Sequence, residues 1–184
     1  MLERIVESSD AELVDAALKG DVNSFGELYR RHYAAAVGIA QGALSDRHLA
    51  EDAAQEAFAI ACRDLGRLRR ADRFASWLGA ISRKVARRSA RSRLRPQNEQ
   101  PADKRIADAA NGEDERGAAV RQAVQRLPRS AREVILLRYF SRLSHEQIAT
   151  TLGISRQAVH GRLIRAKRKL ADDLRRNGLW RNEV

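Results

Sequence analysis

Sulfur, proline and aromatic residues are scarce in this chain: it has one cysteine, three prolines, one methionine and only 5% Phe, Tyr and Trp. A lone cysteine, Cys62, excludes an internal disulfide. Set among the alanines of an expected helix, it reads as a small core residue. No stretch alternates β-branched and polar residues for long, which excludes a sheet-based fold. No apolar run approaches the roughly 20 residues that span a bilayer, so no membrane insertion is expected. The first ten residues, MLERIVESSD, lack the apolar core of a signal peptide, which points to a soluble, cytoplasmic protein. The four histidines, His32, His48, His145 and His160, show no metal-ligand spacing with one another or with Cys62. No phosphate loop and no nucleophile-and-base arrangement appears. Neither an enzyme, nor a metal, nor a cofactor is therefore expected.

What the chain does have is alanine and arginine. Hydrophobic residues make up 43% of its 184 residues, and the mix suits small helical bundles. The net charge of +11 is unevenly placed. Residues 1–62 carry a net of −6 and residues 63–95 a net of +10. Residues 96–127 carry −1 and residues 128–184 carry +8. Two separate basic blocks imply two separate contacts with a polyanion.

Asp10 is placed to cap a first helix with Leu13, Val14, Ala17 and Leu18 on its apolar side, ended by Gly20. Asp21 opens a second helix, to about Ala43. Ser45 and Asp46 open a third, from about His48 to Leu65, with Ala53, Ala57, Ile60 and Ala61 inward. Asp52, Gln55 and Glu56 gather on its flank, a compact stripe of acids and amide beside Ala59. An Arg-rich connection follows, Arg63 to Arg73, holding Arg67, Arg69 and Arg70. The fourth helix runs from about Phe74 to Arg95. Phe74, Trp77, Leu78, Ile81 and Val85 face a core, and Arg83, Lys84, Arg87 and Arg91 gather opposite. With no acid between Phe74 and Arg95, a phosphate backbone is the natural partner of that helix.

Residues 96–117 hold prolines, glycines and few large apolar groups, and read as a flexible linker with a helical turn near Ile106. A short helix ends at Leu127-Pro128. Ser130 and Glu133 then have capping-box spacing for a helix carrying Val134, Ile135, Leu137, Tyr139 and Phe140. Ser144 to Leu170 reads as a helix-turn-helix. Ser144 and Gln147 form a capping box, Gly153 falls where a left-handed residue is needed, and Ser155 offers a second cap. Val159, Leu163, Ala166 and Leu170 share one face of the second helix. At about 100° per residue, Gln157, Gly161, Arg165 and Arg168 fall opposite them. An apolar face backing a basic face with a bare glycine fits a helix that enters a DNA major groove.

Three segments in this order resemble a known family, the small extracytoplasmic-function (ECF) sigma factors of bacterial RNA polymerase. AEDAAQEAFAIA, from Ala50, resembles the family's core-polymerase-binding helix. RFASWLGAISRKVARRSARSR, from Arg73, resembles the helix that holds and melts the downstream (−10) promoter element. The stretch from Leu127 to Leu170 resembles the reader of the upstream (−35) element.

The resemblance implies an all-α fold of two small helical domains: residues 1–95, a linker at 96–117, a second domain at 118–176 and a tail at 177–184. It implies core RNA polymerase as partner, through its clamp coiled coil and flap, with Asp52, Gln55 and Glu56 on the coiled coil. It implies promoter DNA as the second partner. Arg63, Arg67, Arg69, Arg70 and Arg73 would capture a flipped base and Arg83, Lys84, Arg87 and Arg91 would hold strand phosphates. Ser155, Arg156, Gln157, His160, Gly161, Arg162, Arg165 and Arg168 would read the duplex. His160, Gly161 and Lys84 depart from the residues usual in the family. An anti-sigma protein is the regulator implied, and the linker would thread toward the polymerase active-site channel. The competing reading is an operator-binding regulator. It would need an effector or phosphoacceptor domain, and residues 1–95 show no strand pattern or Gly-rich loop for one.

Overall fold

A computed structural model describes residues 8–94 and 115–177, and these form eight α-helices and no strand. Helices α1 (Asp10–Leu18), α2 (Val22–Gln41), α3 (Arg47–Arg63) and α4 (Phe74–Leu94) make an N-terminal unit. Helices α5 (Glu115–Arg126), α6 (Arg129–Ile135), α7 (His145–Leu152) and α8 (Arg156–Arg176) make a C-terminal unit. The expected linker and its helical turn near Ile106 lie mostly outside the described residues, as do Leu179 and Trp180 of the tail. Helix α5 begins at Glu115, inside the expected linker.

Local signals in the sequence account for most helix ends. Asp21 accepts from the Asn23 amide at 3.0 Å to start α2, and Asp46 accepts from Leu49 at 3.1 Å to start α3. The cap of α1 differs from expectation: it is Ser9, in a reciprocal capping box with Glu12. Asp10 instead reaches sideways, its Oδ2 lying 2.6 Å from His32 Nε2 on α2. Gly20 leaves α1 with a φ of +96°, a conformation that favours glycine.

The N-terminal core is built on small residues. Ala50, Ala53, Ala54, Ala57 and Ala61 are buried along α3 and let α2 and α4 approach closely. Phe58, Phe74, Leu28 and Leu78 fill the space at one end, and Leu44, Val85 and Ala86 at the other. Trp77 packs against the core as a partly buried ring, 6.1 Å from Phe74. Cys62 is exposed, contrary to expectation, because the inward arc of α3 passes through Phe58 and Ala61.

Ser130 and Glu133 do not form a capping box. Helix α6 starts at Arg129, after Pro128, with no side-chain cap, and Glu133 is buried. The helix then widens into a π turn, Leu136–Phe140. That turn keeps Leu136 and Leu137 buried but throws Tyr139 and Phe140 outward, the latter 60% exposed. Arg142 follows with a φ of +55°, a left-handed conformation for a non-glycine residue.

The two units are packed against each other. Ala35 and Ile39 of α2 share a buried cluster with Val134, Leu137 and Ile148 of the C-terminal unit. Ser141 donates to the Ala34 carbonyl across the boundary at 2.8 Å.

Candidate nucleic-acid interface

The helix-turn-helix forms as its spacing predicts. Ser144 Oγ accepts from the Gln147 amide at 3.1 Å, and Gln147 Oε1 accepts from the Ser144 amide at 2.8 Å. Gly153 ends α7 with a φ of +65°, and Ser155 accepts from the Ala158 amide at 3.1 Å to start α8. Val159, Leu163 and Ala166 are buried, with Leu170 partly so, which fixes the rotation of α8. Ser155, Arg156, Gln157, His160, Arg165 and Arg168 are exposed, and Gly161 and Arg162 are half-buried. The Arg165 guanidinium folds over Gly161: its Nη1 would lie 3.3 Å from a Cβ placed there.

At the entrance of α7 the rings of His145 and His160 stand 6.0 Å apart. Burial holds the His145 imidazole below its ordinary value, and the Arg138, His160 and Arg156 charges push the same way. A hollow of about 270 Å³ opens there, lined by Arg138, Ser144, His145, Glu146 and Arg156. Arg138 and His145 were not among the expected contacts, because neither falls on the basic face of α8.

The second basic surface lies on the N-terminal unit. Arg63, the last residue of α3, and Arg67, Arg69, Arg70 and Arg73, on a connection holding two short 3-10 turns, Leu65–Arg67 and Ala71–Arg73, are all exposed. Two acids temper them. Arg63 Nε lies 3.2 Å from Asp64, and Arg70 Nη2 lies 2.7 Å from Asp72. Those arginines hold both carboxyls below their ordinary values, so the acids stay ionised and the connection keeps a net positive charge. On α4, Lys84, Arg87 and Arg91 are exposed. Arg83 is set apart from them: only 21% exposed, it meets Glu133 of the C-terminal unit at 3.3 Å. Sequence reasoning had no signal for this, because it assigned Glu133 to a helix cap.

The acid-and-amide stripe faces outward from α3. Asp52 and Gln55 are exposed, and Glu56 is half-exposed and paired with Arg88 of α4. The buried alanines of α3 set this rotation, since Ala53, Ala54 and Ala57 occupy the opposite side. Among the described residues, no group of three or more His, Cys, Asp or Glu could hold a metal ion. No described helix is long and apolar enough to cross a membrane.

Comparison with known proteins matches both units. Residues 28–95 match the family model for sigma-70 region 2, and residues 117–170 match that for sigma-70, region 4. The chain is 32% identical over 178 residues to the RNA polymerase sigma-H factor of Pseudomonas aeruginosa, covering 89% of this chain and 92% of that protein. It is 30% identical over 170 residues to the ECF RNA polymerase sigma factor SigM of Mycobacterium tuberculosis, covering 90% and 84%. Among solved structures it is similar to CnrH in complex with the cytosolic domain of CnrY, with 27% identity and a TM-score of 0.61 over 91% of this chain and 98% of that one.

Proposed function

The chain belongs to the ECF group of the sigma-70 family, which directs RNA polymerase to promoters, and from that premise we propose a division of labour among its surfaces. The N-terminal unit, residues 1–95, recruits core polymerase and acts on the opened strand. The C-terminal unit, residues 118–176, reads the upstream duplex element. Asp52, Gln55 and Glu56 dock on a basic polymerase surface. The supporting observation is their outward position on a helix whose other face is buried alanine.

Arg63, Arg67, Arg69, Arg70 and Arg73 line the connection that takes a flipped base, and Lys84, Arg87 and Arg91 hold phosphates of the separated strand. Ser155, Arg156, Gln157, His160, Gly161, Arg162, Arg165 and Arg168 meet the duplex, split between phosphate contacts that position and base contacts that specify. The work is binding and strand opening in the cytoplasm, with no bond made or broken by this chain. An anti-sigma protein is its regulator. CnrH is solved with the cytosolic domain of another protein, CnrY, which supports a protein partner here.

Run-off transcription with core polymerase on genomic DNA, followed by start-site mapping, tests the reading. A shared pair of sequence elements upstream of the mapped starts is the expected result. Duplex binding without any effect on polymerase would favour the operator-binding alternative.

A further inference from the structure

The hollow at the entrance of α7 is walled by three elements. Arg138 comes from the π turn, Ser144, His145 and Glu146 from the start of α7, and Arg156 from the start of α8. Arg138 Nη1 donates to the Leu143 carbonyl at 2.9 Å, which holds the guanidinium at the wall. Among the described residues neither Arg138 nor Arg156 has an ion-pair partner, although Glu146 lines the same hollow. The space of about 270 Å³ is several times the roughly 30 Å³ that one water takes up in the liquid, and its lining is polar and charged. It therefore suits a hydrated anion. Arg156 belongs both to this wall and to the residues assigned to the duplex, so the hollow adjoins the DNA face of α8.

His145 is the one group on that wall whose charge changes near neutral pH. With its ring neutral, two arginines stand against Glu146, and protonation adds a third positive charge. Burial keeps the imidazole below its ordinary value, and the charges that face it push the same way: Arg138 from the π turn, then His160, Arg156 and Lys167 from α8. Lys167 also stands over the Tyr139 ring, at 5.6 Å. The free chain thus holds His145 neutral at pH 7. A phosphodiester in the hollow reverses the balance, because its negative charge favours the imidazolium.

We propose that His145 is a further DNA ligand of the helix-turn-helix: with Arg138 and Arg156 it grips one backbone phosphate beside the upstream element, and it takes a proton from solvent as it does so. The proposal rests on the assignment of α8 to duplex reading. Such a contact positions the unit on the duplex without specifying its sequence. It also makes promoter binding tighten as pH falls. The gain grows as pH drops through the raised value of His145 in the complex and levels off below its lowered value in the free chain. His160, its ring 6.0 Å away, sets the limit: two imidazolium rings this close repel, so the pair takes up about one proton and not two.

The test is the pH dependence of promoter binding by the full chain assembled with core polymerase, on a mapped promoter fragment at fixed ionic strength. Binding of the native chain should tighten about three- to tenfold between about pH 7.6 and about pH 6.2. His145→Gln keeps a hydrogen-bonding side chain without the charge and should lose that dependence. His145→Lys should bind at the higher pH as tightly as the native chain does at the lower. Any pH dependence of the polymerase is common to all three chains, so the ratios between them read His145. A methylphosphonate replacing one phosphate at a time along the upstream element should abolish, at one position, the advantage of the native chain over His145→Gln. That scan and His145→Lys carry the test should His145→Gln unfold. Equal pH dependence in the native and His145→Gln chains, a His145→Lys chain that binds no tighter than the native one at the higher pH, or an advantage that no methylphosphonate removes, would overturn the assignment. Absence of promoter binding at every pH would instead sink the duplex-reading assignment, and this one with it.

Discussion

Arg83 and Glu133, fifty residues apart in the chain, meet at 3.3 Å with their side chains only 21% and 10% exposed. Each was expected elsewhere: the arginine on DNA, the glutamate at a helix end. Together they are an ion pair between the two units. Removing one member of a buried pair leaves the other charge uncompensated, and here Arg129 also interacts with the same carboxylate. Glu133→Ala should therefore destabilise the folded chain by about 1–3 kcal/mol, below the fully buried range because both groups keep some solvent. Urea unfolding checks this, and an unchanged midpoint would mean the pair contributes nothing.

Glu27 is the second buried acid with a clear energetic role. Its carboxylate, 7% exposed, takes two hydrogen bonds from Arg30 at 2.7 and 2.8 Å and one from Arg31 at 2.7 Å. Those arginines, Arg30 first, hold its carboxyl at about 2, against an ordinary value of 4.5. The folded value is depressed, so the stabilisation is present above pH 4.5 and is lost as pH falls from there toward 2. Glu27→Gln should cost about 1–2 kcal/mol at neutral pH, discounted for the exposure of Arg30, and should flatten the Tm–pH curve between those two values. A curve as steep as that of the native chain would assign the acid sensitivity to other carboxyls.

What could be read from the sequence was what local rules control. The caps at Asp21, Asp46, Ser144 and Ser155 formed because a short polar side chain has one good use at a helix start. The buried face of α8 formed because a 3.6-residue period leaves Val159, Leu163 and Ala166 one place to go. The boundary between the two units was illegible for the same reason. Gly38 and Gly79 look like ordinary helix-interior glycines until another backbone or side chain is set against them. Glu133 satisfied a capping pattern, but in the fold it pairs with the half-buried Arg83. The π turn shifted Tyr139 and Phe140 off the apolar face by inserting a residue, which no fixed-period reading anticipates.

The stripe on α3 can be tested without disturbing the core, since Asp52 is exposed and Glu56 pairs with Arg88 at the surface. Reversing both charges, Asp52→Arg with Glu56→Arg, places like charge against a basic polymerase surface. Binding to core polymerase should weaken by at least about tenfold, with a salt dependence opposite in sign to that of the native chain. Thermal unfolding serves as the control, because exposed substitutions of this kind are worth about ±0.5 kcal/mol in stability. Unchanged polymerase affinity would remove Asp52 and Glu56 from the docking surface.

Gly161 and Arg165 offer the sharpest test of how α8 reads DNA, because one shapes the position of the other. The bare backbone at Gly161 leaves room for the Arg165 guanidinium to lie back along the helix. Arg165→Ala should cost about 1–3 kcal/mol on the cognate upstream element if the guanidinium contacts a base. The loss should be small on unrelated duplexes, and a uniform loss with a shallower salt slope would make Arg165 a phosphate contact. Gly161→Ala separates shape from charge. Alanine favours the helix by up to about 1 kcal/mol, and the atoms it meets are the far end of a flexible side chain. The fold should therefore gain stability while the guanidinium is pushed outward. If Arg165 reads a base from its folded-back position, Gly161→Ala raises Tm and lowers discrimination between cognate and altered elements in the same variant. A gain in Tm with discrimination intact would show that Arg165 reaches DNA by extending, and that Gly161 serves only to let the helix lie close to it.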